Sequence, residues 1–149
     1  LFVIKLKSNQ QKIKKILKKE KFLNFKYYKN WSLDCKKIIK KIRKKFKKLE
    51  GKKTIIGYGA AAKANTFLNF SKIKLDYIID DNKLKQNKFC PGSKIPIKSI
   101  DFLKEIKDNI GILPLAWNFY KEIRIRVKKV RPKQNDFFIL CFPKFKIFK

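Results

Sequence analysis

With 149 residues, 44% of them apolar and 14% aromatic, the chain has the length and material for one domain with a real core. Its formal charge of +30 comes from 41 basic and 11 acidic residues, with no His. The missing His removes the commonest general base and any Ser/His or Cys/His nucleophile pair, and no run of about 18 uncharged apolar residues offers a membrane span or a signal peptide.

In chain order, Phe2 to Leu6 reads as a short strand, with Ser8-Asn9 as a turn or cap. From Gln11 to Leu23 the residues Ile13, Ile16, Leu17 and Leu23 keep helical spacing. A second helix is expected from Ser32 or Leu33 to Leu49, with Ile38, Ile39, Ile42, Phe46 and Leu49 on one face and a solvated Lys face opposite. After Gly51 the pattern becomes an alternation of strands and helices. Strands are expected at Lys53–Gly57, Leu75–Asp80, Ile110–Ala116 and Phe137–Phe142. Helices are expected at Ala60–Phe70, Ser99–Ile106 and Phe119–Val130. Such alternation predicts an α/β fold, Rossmann-like, with a mostly parallel sheet flanked by helices and right-handed crossovers. The segment from Asn82 to Pro96 holds Pro91-Gly92 and Pro96, and reads as a long loop of the kind that carries function.

Gly57-Tyr58-Gly59-Ala60-Ala61-Ala62-Lys63 fits GxGxxA directly after one expected strand and before one expected helix. Gly57 permits the turn, Gly59 allows close backbone approach to a ligand, and Ala62 lets the helix pack near the strand. The helix N-terminus offers free N–H groups and the positive end of a dipole to an anion, and Lys63 adds a cation. Asp80 and Asp81 end the next strand about 20 residues later, where a ribose-binding acid sits in dinucleotide folds. These features leave two readings open, a nucleotide site or a glycine turn that serves packing only. The GKS or GKT ending of a Walker A loop is missing.

Cys35, Cys90 and Cys141 are odd in number, far apart and without His, so they form neither a zinc spacing nor a disulfide framework. Buried or incidental thiols in a reducing cytoplasm fit them better. Only four basic residues are Arg (Arg43, Arg124, Arg126, Arg131), and Lys is spread over nearly the whole chain together with abundant Ile, Asn and Phe. That usage matches an AT-rich coding sequence. Since bidentate base readout favours Arg, specific nucleic-acid binding is not expected, although non-specific sticking at low salt is.

The ordered set Gly57 to Lys63 with Asn65-Thr66, Asp80-Asp81-Asn82 with Lys85-Gln86, Pro91-Gly92, Ile95-Pro96-Ile97 and Ala116-Trp117-Asn118 resembles the C-terminal domain of the S-adenosylmethionine-dependent C-methyltransferases that act on nucleotide-linked keto-deoxysugars. The resemblance covers nearly all of the chain. It implies that residues 1–50 are the connecting strand and helices from a methyl-donor domain, and that 51–149 form the Rossmann-like C-terminal domain. It further implies that S-adenosylmethionine and zinc are held by upstream domains absent here, and that this chain alone is catalytically silent. The first residue is Leu and Met is absent, so a fragment of a longer protein is expected.

By the same resemblance, the glycine turn faces a nucleotide-linked sugar. Gly57, Gly59, Ala60, Ala61 and Lys63 offer amides and a cation, with Asn65 near by. Asp80, Asn82, Lys85 and Gln86 shape a loop that closes over the ligand, and Trp117 and Asn118 stand at a strand's C-terminal end. Three residues depart from the family's pattern: Ala64 where Gly is usual, Asp81 at a commonly basic position, and Cys90 where a hydroxyl is frequent. The rival readings are an NAD-binding oxidoreductase domain, supported by GxGxxA and Asp80, and a basic protein that binds RNA or acidic surfaces.

Overall fold

The structure is a computed structural model that describes residues 10–19, 24–142 and 144–149. The strand expected at Phe2–Leu6 lies outside the described residues, as does the end of the first helix beyond Lys19. The chain divides into two compact units, residues 1–38 and 39–149. The division falls inside a helix.

In the first unit, α1 spans Gln10–Lys19. The second helix, α2, spans Phe25–Lys47 and begins well before the expected Ser32. Its start is set by Asn24, whose Oδ1 accepts the Lys26 N–H at 2.8 Å. Asn at this position satisfies an otherwise orphaned amide.

The second unit is a sheet with helices on both faces. Its strands are β1 (Ile55–Tyr58), β2 (Tyr77–Ile79), β3 (Ile97–Lys98), β4 (Gly111–Pro114), β5 (Phe137–Leu140) and β6 (Lys146–Phe148). They lie in the order β3-β2-β1-β4-β5-β6, with β6 antiparallel to β5 and the other pairings parallel. This is the Rossmann-like arrangement the alternation predicted, and β1 and β4 meet at the point where the strand order reverses. The register pairs Ile56 with Tyr77 on one side and with Ile112 on the other.

Strands buried on both faces read as apolar runs, and their side chains alternate between two cores. Ile55, Ile78, Leu113 and Ile139 pack with Ile42 and Phe46 of α2 and with Phe67 and Leu68 of α3 (Ala62–Ser71). Ile56, Tyr58, Ile79, Ile112 and Phe138 pack with Ile123 and Val127 of α4 (Tyr120–Val130). Gly57 is buried because nothing larger fits: a Cβ there would stand 2.6 Å from Leu115 Cδ1.

Two expected helices change form. The segment at Ser99–Ile106 is a 3-10 helix, Ile100–Lys104. The guanidinium of Arg131 takes the carbonyls of Leu103, Ile106 and Asp108, which ends the coil there. Trp117–Phe119 forms a separate 3-10 turn before α4. Strands β3 and β6 were not expected from the sequence. Cys90 and Cys141 are buried and Cys35 is half-buried, all as free thiols. Among the described residues, no helix is long and apolar enough to cross a membrane.

Candidate functional site

The C-terminal ends of β1, β2 and β4 bring the sequence motifs to one edge of the sheet, the edge where open α/β folds bind ligands. Gly59 makes the turn at φ +98°, a conformation that favours glycine, and a Cβ on it would lie 2.9 Å from the Ala116 Cβ. Its N–H donates to the Ile79 carbonyl at 2.7 Å, so the turn is tied to the end of β2. Helix α3 starts at Ala62, two residues after the expected Ala60, because the Ala60 N–H is drawn to the Asp80 carboxylate and Ala61 is extended.

Asp80 holds the loops together. Its Oδ2 accepts the Ala60 N–H at 2.6 Å and the Lys85 ammonium at 3.2 Å, and its Oδ1 accepts the Asn82 N–H at 2.9 Å. Lys85 also donates to the Ala60 carbonyl at 3.0 Å, and Gln86 Nε2 donates to the Asp80 carbonyl at 2.9 Å. Asn82 Oδ1 accepts the Leu84 N–H, which closes a local turn. Asp80 is only 7% exposed, with both carboxylate oxygens engaged. Thus Asp80, Asn82, Lys85, Gln86 and Ala60, all read from the sequence as ligand contacts, are bonded to one another and fix the shape of the edge.

Asn65 points elsewhere. Its Oδ1 accepts the Cys90 thiol, one turn before Asn69 donates to the Pro91 carbonyl at 3.0 Å. Both pin the long loop against α3.

Lys63 and Trp117, with Asn118 beside them, remain turned outward. The Lys63 ammonium stands 4.9 Å from the centre of the half-buried Trp117 ring, a cation–π contact. Phe142, at the end of β5, packs on the same indole at 5.3 Å and on Phe67 at 5.6 Å. Asn118 is exposed on the same 3-10 turn. Helix α3 opens without a side-chain cap, so its first amides face the edge beside Lys63. Phe142 was missed in the sequence because its role depends on the end of β5 reaching the same edge.

A second feature missed in the sequence is a chain of polar contacts on the α4 side. The Tyr58 hydroxyl donates to Asp81 Oδ1 at 3.0 Å, and Arg126 NH1 donates to Asp81 Oδ2 at 2.7 Å. Asp81, at a position commonly basic in the family the sequence resembles, thus holds a cation supplied from α4. Burial, followed by the hydrogen bond to Asp81, pushes the Tyr58 phenol from 10.0 up to about 12. Burial alone pushes the Cys141 thiol from 9.0 up to about 12.

Both groups hold their protons more tightly when folded. Their contribution is fully present below the unfolded values of 10.0 and 9.0 and is lost as pH rises through those values toward about 12. Tyr58→Phe is therefore expected to flatten the fall in Tm between about pH 10 and 12, since each unit of displacement is worth about 1.4 kcal/mol. Thermal melts of both proteins across that range check it, and parallel curves would contradict it.

A family model described as C-methyltransferase C-terminal domain matches residues 3–143. The chain belongs to this family. The match takes in nearly the whole sequence, α1 and α2 included, and sets this C-methyltransferase C-terminal domain in a methyltransferase context. A search of the curated proteins finds no match to it.

Proposed function

We propose that this C-methyltransferase C-terminal domain is the substrate-side part of an S-adenosylmethionine-dependent enzyme that methylates a nucleotide-linked keto sugar in the cytoplasm. The observation that carries this reading is the grouping of Lys63, Trp117, Asn118 and the uncapped start of α3 at the C-terminal edge, where β1 and β4 part. The amides and Lys63 suit the phosphates of a nucleotide-linked sugar. Trp117, backed by Phe142, gives a firm apolar wall, and Asn118 a polar group beside it.

In this reading the methyl group comes from S-adenosylmethionine bound by another domain, together with the zinc that the resemblance places upstream. The residues of this chain do not fit the donor. A nucleoside at the end of β2 needs a free acid for its ribose, yet Asp80 is fully engaged, and the Tyr58-Asp81-Arg126 chain stands next to it. The same engagement weighs against the NAD-binding reading. Transfer to a carbon beside a ketone needs a base and groups that stabilise an enolate; this domain's part is to bind and orient the sugar nucleotide.

Lys63→Ala tests the reading. In the enzyme that includes the methyl-donor domain, the affinity for thymidine diphosphate, used as the probe, is expected to fall roughly ten- to hundredfold, since a charge-assisted contact is worth about 1.5–3 kcal/mol. Stability should change little, because an exposed cation–π contact contributes only about 0.5–1 kcal/mol. Calorimetry showing unchanged affinity would return the glycine turn to a packing role.

A further inference from the structure

The first unit carries large apolar side chains that its own helices leave in solvent. On α1, Ile13, Ile16 and Leu17 recur at helical spacing and are each more than 40% exposed. On α2, Phe25, Tyr28 and Trp31 fall on one side of the helix, with Phe25 81% and Trp31 60% exposed. Clustered exposure of this kind marks a surface made to be covered. Lysines flank both faces: Lys14, Lys15, Lys18 and Lys19 on α1, and Lys26 and Lys29 on α2. A partner that fits must be apolar at its centre and acidic at its rim. A second copy does not meet that need, because each copy carries +30.

We infer that α1 and the first half of α2 form the docking surface for the methyl-donor domain of the same enzyme, an acidic-rimmed protein surface. This rests on the proposed function. The family is that of a C-terminal domain, so its partner domain stands on the N-terminal side, and the family match from residue 3 makes both helices part of the domain itself. Aromatic anchors at the centre with charges around them are the pattern of an interface whose energy sits in few residues.

The test compares amide hydrogen exchange in α1 and in residues 25–38 between the 149-residue chain alone and the enzyme that includes the methyl-donor domain. Exchange at least tenfold slower in the enzyme is expected. The double substitution Ile16→Glu with Trp31→Glu should restore fast exchange and lower methyl transfer at least tenfold, with S-adenosylmethionine affinity unchanged. Equal exchange in the two forms overturns the inference. So does an enzyme in which no methyl-donor domain accompanies this one. Protection conferred only by vesicles of phosphatidylglycerol and phosphatidylcholine overturns it too, in favour of a lipid surface. Protection in an enzyme that turns over no nucleotide-linked keto sugar supports the docking and removes the substrate reading alone.

Discussion

Asp136→Ala is expected to destabilise the second unit by about 3–5 kcal/mol, a large part of the 5–15 kcal/mol typical of a domain. Arg131 and Asp136 are 2% and 1% exposed. The guanidinium donates from Nε to Asp136 Oδ2 at 2.8 Å and from NH2 to Oδ1 at 3.1 Å. Its remaining donors go to the carbonyls of Leu103, Ile106 and Asp108. Asp136 Oδ1 also accepts the Ile110 N–H at 2.9 Å. Removing the carboxylate strands a buried cation, and removing Arg131 instead strands a buried anion and three carbonyls.

Replacing both partners by apolar residues, as Arg131→Met with Asp136→Leu, should recover part of the loss because no uncompensated charge remains. Recovery stays incomplete, since the carbonyls and the Ile110 amide lose their partners. Urea unfolding of the single and double variants measures this. A loss below about 1 kcal/mol for Asp136→Ala would mean that water or a rearranged neighbour replaces the carboxylate. The pair ties the 3-10 helix at Ile100–Lys104 to the end of α4 and the start of β5.

This pair shows where sequence reading stops. Arg131 and Asp136 are five residues apart across Pro132, in a chain whose charges are almost all on the surface, and nothing in the pattern sets them apart from exposed ones. The sheet was legible for the opposite reason. The runs through Ile55-Ile56, Tyr77-Ile78-Ile79 and Phe137-Phe138-Ile139 are apolar at every position, as strands covered on both faces must be. Strand β3 holds only Ile97-Lys98, and β6 is a three-residue antiparallel edge, so neither offers enough residues for a period to show.

The true start of α2 was hidden because Phe25, Tyr27, Tyr28 and Trp31 are middling helix formers and Ser32 looks like a cap. At the site, the glycine turn and the acidic strand end were legible as motifs. Which of their groups face outward was not. Lys63 and Trp117 come together from the loops after β1 and β4, and the fate of Asp80 depends on Lys85 and Gln86 folding back onto it.

Asp80→Ala is expected to lower stability by about 2–4 kcal/mol, because buried donors left without an acceptor cost about 1–3 kcal/mol each. The Ala60 and Asn82 amides lose their partner, and the half-buried Lys85 ammonium loses its counter-charge. The glycine turn should loosen with them, since the Ala60 N–H is what draws the turn toward the end of β2. Asp80→Asn keeps one acceptor oxygen but turns an NH2 toward one set of donors, so its loss should be nearly as large. An acid that existed to bind a ribose would behave differently: either variant would leave the fold intact and weaken a nucleotide cofactor. Thermal melts, with amide exchange at Ala60 and Asn82 and calorimetry with NAD, separate the two. A lower Tm with faster exchange and no NAD binding in the unsubstituted protein fits Asp80 as the brace of the site's edge. An unchanged Tm, with NAD binding that disappears on substitution, would make it a cofactor ligand and reopen the oxidoreductase reading.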